Sequence, residues 1–264
     1  MSSSAVCPHP YRFSSAACRF PLGNQPDGGI VSAQLLQGDV IMAVRKSAPE
    51  RKAEILEATL KLADELGPDR LSTEAIARAV GLTQPGIFRH FPTKQAIWEA
   101  VAAKITEKMV GGWRTVLDRG GTPADRLRGL IGFQLRLIQA TPAIPAILFS
   151  RELHAENDIL RKSVLAVMNR LHAAIAREIA AAQEQQMFRR EIEPDDAAYL
   201  VLGLIQGLAV RWSLSGRSFR LADEGLRLLE VQIGLFTAHS AEIMDVERRA
   251  ESGAKPPASG GSQA

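Results

Sequence analysis

Residues 72–91 read Ser72-Thr-Glu-Ala-Ile-Ala-Arg-Ala-Val-Gly-Leu-Thr-Gln-Pro-Gly-Ile-Phe-Arg-His-Phe91, and this stretch decides the fold. Ser72 or Thr73 is placed to cap a first short helix that turns Ile76, Ala77 and Val80 inward. Gly81 supplies the backbone freedom that the tight turn requires. Thr83 then caps a second short helix, with Pro85 tolerated in its first turn. Residues 73–91 therefore have the layout of a helix-turn-helix. Ile87 and Phe91, four apart, face the core, which leaves Gln84, Pro85, Gly86, Arg89 and His90 on other faces. A DNA major groove accepts an α-helix, and Gln and Arg there match adenine and guanine edges. Helix-turn-helix shapes also occur in all-α proteins that bind no DNA, so spacing alone leaves both readings open.

Charge leans towards DNA. Arg70, Arg78, Arg89 and Lys94 stand against Glu74 alone, and Arg45, Lys46, Arg51 and Lys52 add a basic stretch upstream. Thr73 and Lys94 at helix starts are candidate phosphate contacts.

Working outward, nearly everything else reads as helix. Ser47-Ala-Pro-Glu50 is a capping box ahead of an apolar stripe that Gly67-Pro68 stops. A long helix is expected from Lys94 to about Asp118, then one from Thr122-Pro123 to Ala140. Further helices are expected over about 144–154, 158–188, 194–216 and 221–239. No strand alternation or hairpin turn is apparent, so the expected class is all-α.

Composition agrees. The 264 residues are 46% hydrophobic, 23% charged and 5% aromatic, with a net charge of +3. That excludes collagen-like, wholly disordered and disulfide-stapled chains. Both cysteines, Cys7 and Cys18, lie in a Ser/Pro/Gly-rich extension over 1–44, so no metal site is expected and a reducing cytoplasm is the expected location. Residues 1–41 are expected to be an artefact of the assigned start, with Met42 as the alternative; intact mass of the native protein decides it. Residues 249–264 are expected to form a loose tail. The most apolar run, Ala197 to Val210, has fourteen residues, short of a membrane span.

Enzyme signatures are missing. The histidines are scattered without HExxH spacing, and neither a phosphate loop nor a Gly-x-Ser-x-Gly elbow occurs. Asp195-Asp196 follow Pro194 at a helix start, where the dipole favours acids. No cofactor is expected.

Residues 50–98, from ERKAEILEATLKLADELG through STEAIARAVGLTQPGIFRHFPTKQAIW, resemble the N-terminal DNA-binding domain of TetR-family transcriptional regulators. Weaker resemblance continues in RLRGLIGFQLRLIQATPAIPAILFSRELHAEN and DDAAYLVLGLIQGLAVRWSLSG. The resemblance implies a DNA-binding domain over 45–93, an effector-binding and dimerisation domain over 94–240, and a homodimer on a palindromic operator in double-stranded DNA. By position it implies base contacts from Gln84 and Pro85 with Gly86 beside them, and backbone contacts from Thr73, His90 and Lys94. Thr83 belongs to the same surface. Phe88 stands where the family usually has Tyr, which removes a hydroxyl–phosphate bond, and Arg89 stands at a position often aromatic in the family, placed for a base or phosphate contact instead.

The same resemblance implies a pocket for a small-molecule effector. Trp113, Phe133, Leu137, Phe149 and Met168 are its candidate apolar walls, with His154 or His172 as polar fixtures. The helix after Pro194 is apolar on nearly all sides, so Leu200, Leu204 and Leu208 are expected to pair across a dimer axis with Leu229, Ile233 and Phe236. The expected function is a transcriptional regulator, a repressor released by its effector. Two alternatives stand beside it: a DNA-bound regulator acting on a protein partner, of nucleoid-occlusion type, and an all-α ligand carrier without DNA binding.

Overall fold

Ser47 opens the chain's first helix as expected: its backbone N–H donates to Glu50 at 2.7 Å, and the Glu50 N–H returns a 3.4 Å bond to the Ser47 hydroxyl. Thr122 and Asp125 close a second such box further on. Glu50 is held below its ordinary 4.5, first by the Ser47 N–H and then by the Ser47 hydroxyl. That contribution is in place above the ordinary value and is lost as pH falls through the lowered one.

The computed structural model describes residues 46–237. Among these, ten α-helices follow in order: α1 Ala48–Leu66, α2 Thr73–Ala79, α3 Gln84–Phe88, α4 Lys94–Leu117, α5 Pro123–Ala140, α6 Ala143–Phe149, α7 Arg151–Glu156, α8 Asp158–Glu184, α9 Pro194–Leu214 and α10 Leu221–Phe236. No strand occurs among the described residues beyond one isolated bridge, Phe188 with Thr237. The fold is all-α, a three-helix N-terminal helix-turn-helix unit followed by a larger helical bundle. The expectations for residues 1–44, Met42, the two cysteines and the tail lie outside the described residues.

Boundaries differ where local chemistry intervenes. The single helix expected over 144–154 is two, because Ser150 leaves helical geometry and its hydroxyl caps α7 at the Leu153 N–H, 3.1 Å away. The helix expected to reach Phe188 stops at Glu184, where the chain turns through Gln186 at φ 58°. Ser72, not Thr73, caps α2.

The apolar interior has two centres. Ile55, Ile76, Ile87, Ile97 and Trp98 form one, to which α6 and α7 add Ile147 and Leu153. Leu127, Leu130, Ile131, Ile175, Ile205 and Leu229 anchor the other. Helix α4 serves both, with Val101 in the first and Trp113 in the second. Two polar ties join α1 and the turn after it to later connections: Ser150, between α6 and α7, donates to Asp69 at 2.6 Å, and Arg217, between α9 and α10, grips Asp64.

Helix α9 is 21 residues, longer than the fourteen-residue run suggested, and by length and composition alone it could cross a membrane. Its Val201, Leu202, Ile205 and Ala209 are nevertheless buried against this chain's own core. Close packing is clearest at Gly225 on α10, where a Cβ would meet Leu135 Cδ1 at 2.4 Å. Leu135 is 1% exposed and has nowhere to go. Overpacking costs about 1–3 kcal/mol and better helix propensity returns at most about 1 kcal/mol. Gly225→Ala therefore shifts the urea midpoint down, with the slope unchanged.

Candidate nucleic-acid interface

Helix α3 is a single turn and a half, too short to persist alone. Three things hold it in place. Thr83 caps it by accepting from the Gly86 N–H at 3.3 Å. Ile87 is wholly buried and Phe91 nearly so. The turn before it closes through Gly81 at φ 64° and a 2.9 Å bond from the Leu82 N–H to the Ala77 carbonyl. With Ile87 pinned inward, Pro85, Phe88 and Arg89 are exposed, and Gln84, Gly86, His90 and Lys94 are half-exposed.

Thr73 departs from its expected role. It is 7% exposed, and its hydroxyl accepts from Gln84 Nε2 at 2.9 Å. Burial under the Gln84 amide keeps it from a phosphate in this arrangement. The second acceptor for that amide is Glu74, at 2.5 Å, a residue that sequence reasoning missed. Glu74 is held below its ordinary value, first by its own backbone N–H and then by the Ser72 hydroxyl, so it faces Gln84 as a carboxylate. Both amide hydrogens are thus engaged, and Gln84 Oε1 has no partner among the described residues. A Glu ten residues before a Gln across a helix-turn-helix is the signal that was available.

The basic stretch is also less free than its sequence suggests. Lys46 and Arg51 both pair with Glu54 at 2.7 Å, and Arg51 reaches the Val80 carbonyl. Lys52 lies 5.7 Å from the centre of the Phe91 ring and stays exposed. Arg45 lies outside the described residues.

Gly86 tests what this surface is for. A Cβ there would sit 3.4 Å from Thr83 Oγ1 and 3.5 Å from Leu82 Cβ, ordinary contacts that need no rearrangement. Gly86→Ala is expected to keep or slightly raise the melting temperature, since Ala is the better helix former by roughly 1 kcal/mol. If the glycine serves close approach to a duplex, the same variant loses operator affinity in a mobility shift.

In the larger bundle the expected pocket is corrected in part. A cavity of about 50 Å³ is walled by Trp113, Phe149 and Met168 as expected, but not by Phe133, Leu137 or His172. Phe133 is spent covering Gly112, where a Cβ would strike its ring at 1.9 Å. Leu137 is half-buried and packs against the second core. His172 donates to the Asp195 carbonyl at 3.1 Å and lies 4.1 Å from the Tyr199 ring, while His154 bonds the Leu148 carbonyl. Gln134 and Gln206 line the cavity instead. An amide inside the apolar run LIGFQLRLI was the visible sign of the first.

The expected partner face is corrected too. Leu208, Leu229, Ile233 and Phe236 are all under a tenth exposed, and Leu204 is half-buried against the same core, so five of the six expected residues pack inside their own chain. Only Leu200 is outward, 57% exposed. The outward apolar set is Tyr199, Leu200, Val210 and Leu214 on α9 with Val231 and Leu235 on α10. Among the described residues, six of the eleven exposed large hydrophobics thus share these two helices, a concentration that scattered surface residues do not show.

Known proteins match this organisation. The family described as bacterial regulatory proteins, tetR family, matches residues 55–101, and the tetracyclin repressor-like C-terminal domain matches residues 123–223. The chain belongs to the TetR family. It is a DNA-binding transcription regulator with a helix-turn-helix. The TetR-family chain is 27% identical over 158 residues to the nucleoid occlusion factor SlmA of Actinobacillus pleuropneumoniae, covering 60% of this chain and 78% of that one. A transcriptional regulator from Saccharomonospora viridis, solved in complex with choline, has the same fold with a TM-score of 0.63 and 23% identity, over 70% of this chain and 96% of that one. The ketosteroid transcriptional regulator of Mycobacterium tuberculosis has it with a TM-score of 0.61 and 18% identity, over 72% and 96%.

Proposed function

We propose that this TetR-family chain is a repressor: a homodimer whose two α3 helices read an inverted-repeat operator until a small molecule entering the larger bundle releases it. The observation that carries the reading is the exposure of Pro85, Phe88 and Arg89 on a helix whose Ile87 is fully buried. Core packing accounts for Ile87 and Phe91 and leaves the outward set unexplained by the chain itself. Arg89 suits guanine. With both amide hydrogens of Gln84 held by Thr73 and Glu74, its free Oε1 suits an amino donor, on adenine or cytosine. Lys94, at the start of α4, suits a phosphate.

Release is supported by the wall sharing of α6. Ile144 of α6 lines the cavity while Ile147 of the same helix packs into the helix-turn-helix core. A ligand that shifts α6 or α4 alters the spacing of the two α3 helices, which must match successive major grooves.

The test is a mobility shift with fragments of the DNA flanking the gene. Lys94→Ala is expected to weaken binding by a similar factor on every sequence and to reduce the salt slope by about two, one for each subunit of the dimer. No change with either Lys94→Ala or Gln84→Ala favours a ligand carrier without DNA binding. A second reading, a DNA-bound regulator acting on a protein partner, is favoured by the identity with SlmA. Titrating a promoter reporter against a division-protein assembly assay separates the two.

A further inference from the structure

We propose that the cavity beneath Phe149 takes an uncharged, chain-like apolar molecule carrying one hydrogen-bond acceptor, which Gln134 reads. The cavity, about 50 Å³, lies among α4, α5, α6, α8 and α9. None of its fifteen lining side chains is titratable, so a ligand charge would enter without a counter-charge. Burying an unpaired ion costs several kcal/mol, far more than the apolar walls return to a small molecule.

The polar handle is specific. Gln134 is 5% exposed, and its Oε1 accepts from Trp113 Nε1 at 3.0 Å. An indole only donates, so the orientation of the amide is fixed and Nε2 occupies the other branch. That nitrogen donates to nothing among the described residues, and it belongs to a side chain lining the cavity. Nε2 is not among the wholly buried atoms that lack a partner, so it keeps accessible surface at the cavity, where a ligand carbonyl, ether or hydroxyl oxygen accepts from it. Gln206, half-buried in the α9 wall, adds a second amide with no partner among the described residues.

Extended shape follows from what lies next door. A smaller void of about 30 Å³ shares Met109, Ile144, Leu148 and Val167 with the first and continues to Ala102 and Ile147. Met109, unbranched and adaptable, is one of the four side chains that separate the two. The acceptor end then meets Gln134, while the chain runs towards side chains of the helix-turn-helix core. Phe149 is the one exposed member of the first cavity's lining, which puts the mouth there.

This ligand class rests on the effector reading only for its consequence on DNA. The test is isothermal titration calorimetry of the full chain with three four-carbon probes, matched to voids of about 50 and 30 Å³: 2-butanone, butyrate and butylammonium. The ketone is expected to bind at least a hundredfold more tightly than either ion, and Gln134→Leu to weaken it roughly tenfold. Butyrate or butylammonium binding within threefold of the ketone overturns the proposal, the latter by showing Trp113 and Phe149 to hold a cation. Failure of the ketone to bind up to its solubility limit also overturns it, and so does an unchanged affinity in Gln134→Leu. The wild-type comparison decides the matter if that variant does not fold. Operator release is followed separately by fluorescence anisotropy: a ketone that binds without releasing DNA leaves the ligand class standing and removes the effector reading.

Discussion

Gln84→Ala combined with Arg89→Ala is expected to bring operator binding down to the level of random DNA while leaving the melting temperature nearly unchanged. Each well-placed contact to a base edge is worth about 1–3 kcal/mol, and two contacts in two half-sites amount to roughly a thousandfold even at the low end. The loss stops at the non-specific level, because phosphate contacts remain. Stability is spared because neither residue holds α3 in place: that falls to Ile87, Phe91 and the Thr83 cap. Surface changes away from such features stay within about 0.5 kcal/mol. Gln84 does bond Thr73 and Glu74, so a small loss at α2 is expected, well short of unfolding. Glu74→Ala is the informative companion. It frees an amide hydrogen, and Gln84 then both donates and accepts, which shifts preference at one position towards adenine.

Leu200→Glu with Val210→Glu is expected to convert the protein to monomers in sedimentation velocity. Both residues are exposed in the single chain, at 57% and 38%, so the subunit loses no core contact. Their partners on the same face are Tyr199, Leu214, Val231 and Leu235, and nothing lies within 4 Å of where a Cβ would stand at Gly203 or Gly207. A second copy packed over those glycines would have to bury four carboxylates at the two-fold axis. Losing the second half-site costs the effective-concentration gain of a linked pair, on the order of 10²- to 10⁴-fold in affinity. A variant that remains dimeric at micromolar concentration places the partner surface elsewhere.

The helix-turn-helix was legible because its signals are local: caps, a turn glycine and two anchors four residues apart all act within twenty residues. The outward side of α3 was legible for the same reason, since fixing Ile87 and Phe91 inward leaves Pro85, Phe88 and Arg89 outward. The Gln84–Glu74 contact was not, because it joins side chains of two helices whose separation depends on how they pack. The same limit explains α9 and α10. An all-round apolar helix shows that two faces are covered but not which one its own chain covers, and Leu229, Ile233 and Phe236 turned out to be on the inside. Phe133 illustrates a third kind of loss. It reads as a pocket aromatic until Gly112, twenty-one residues earlier, is seen to need its ring as cover.

The central claim, that α3 reads base edges for a two-fold regulator, is tested most directly by selecting duplexes from a randomised pool at one fixed salt concentration. The wild-type chain is expected to enrich an inverted repeat whose half-site centres lie about one helical turn, or a whole number of turns, apart. Gln84→Ala is expected to lose preference at one base pair in each half. Enrichment of no sequence, or of the same sequence by the wild type and the variant, contradicts the account.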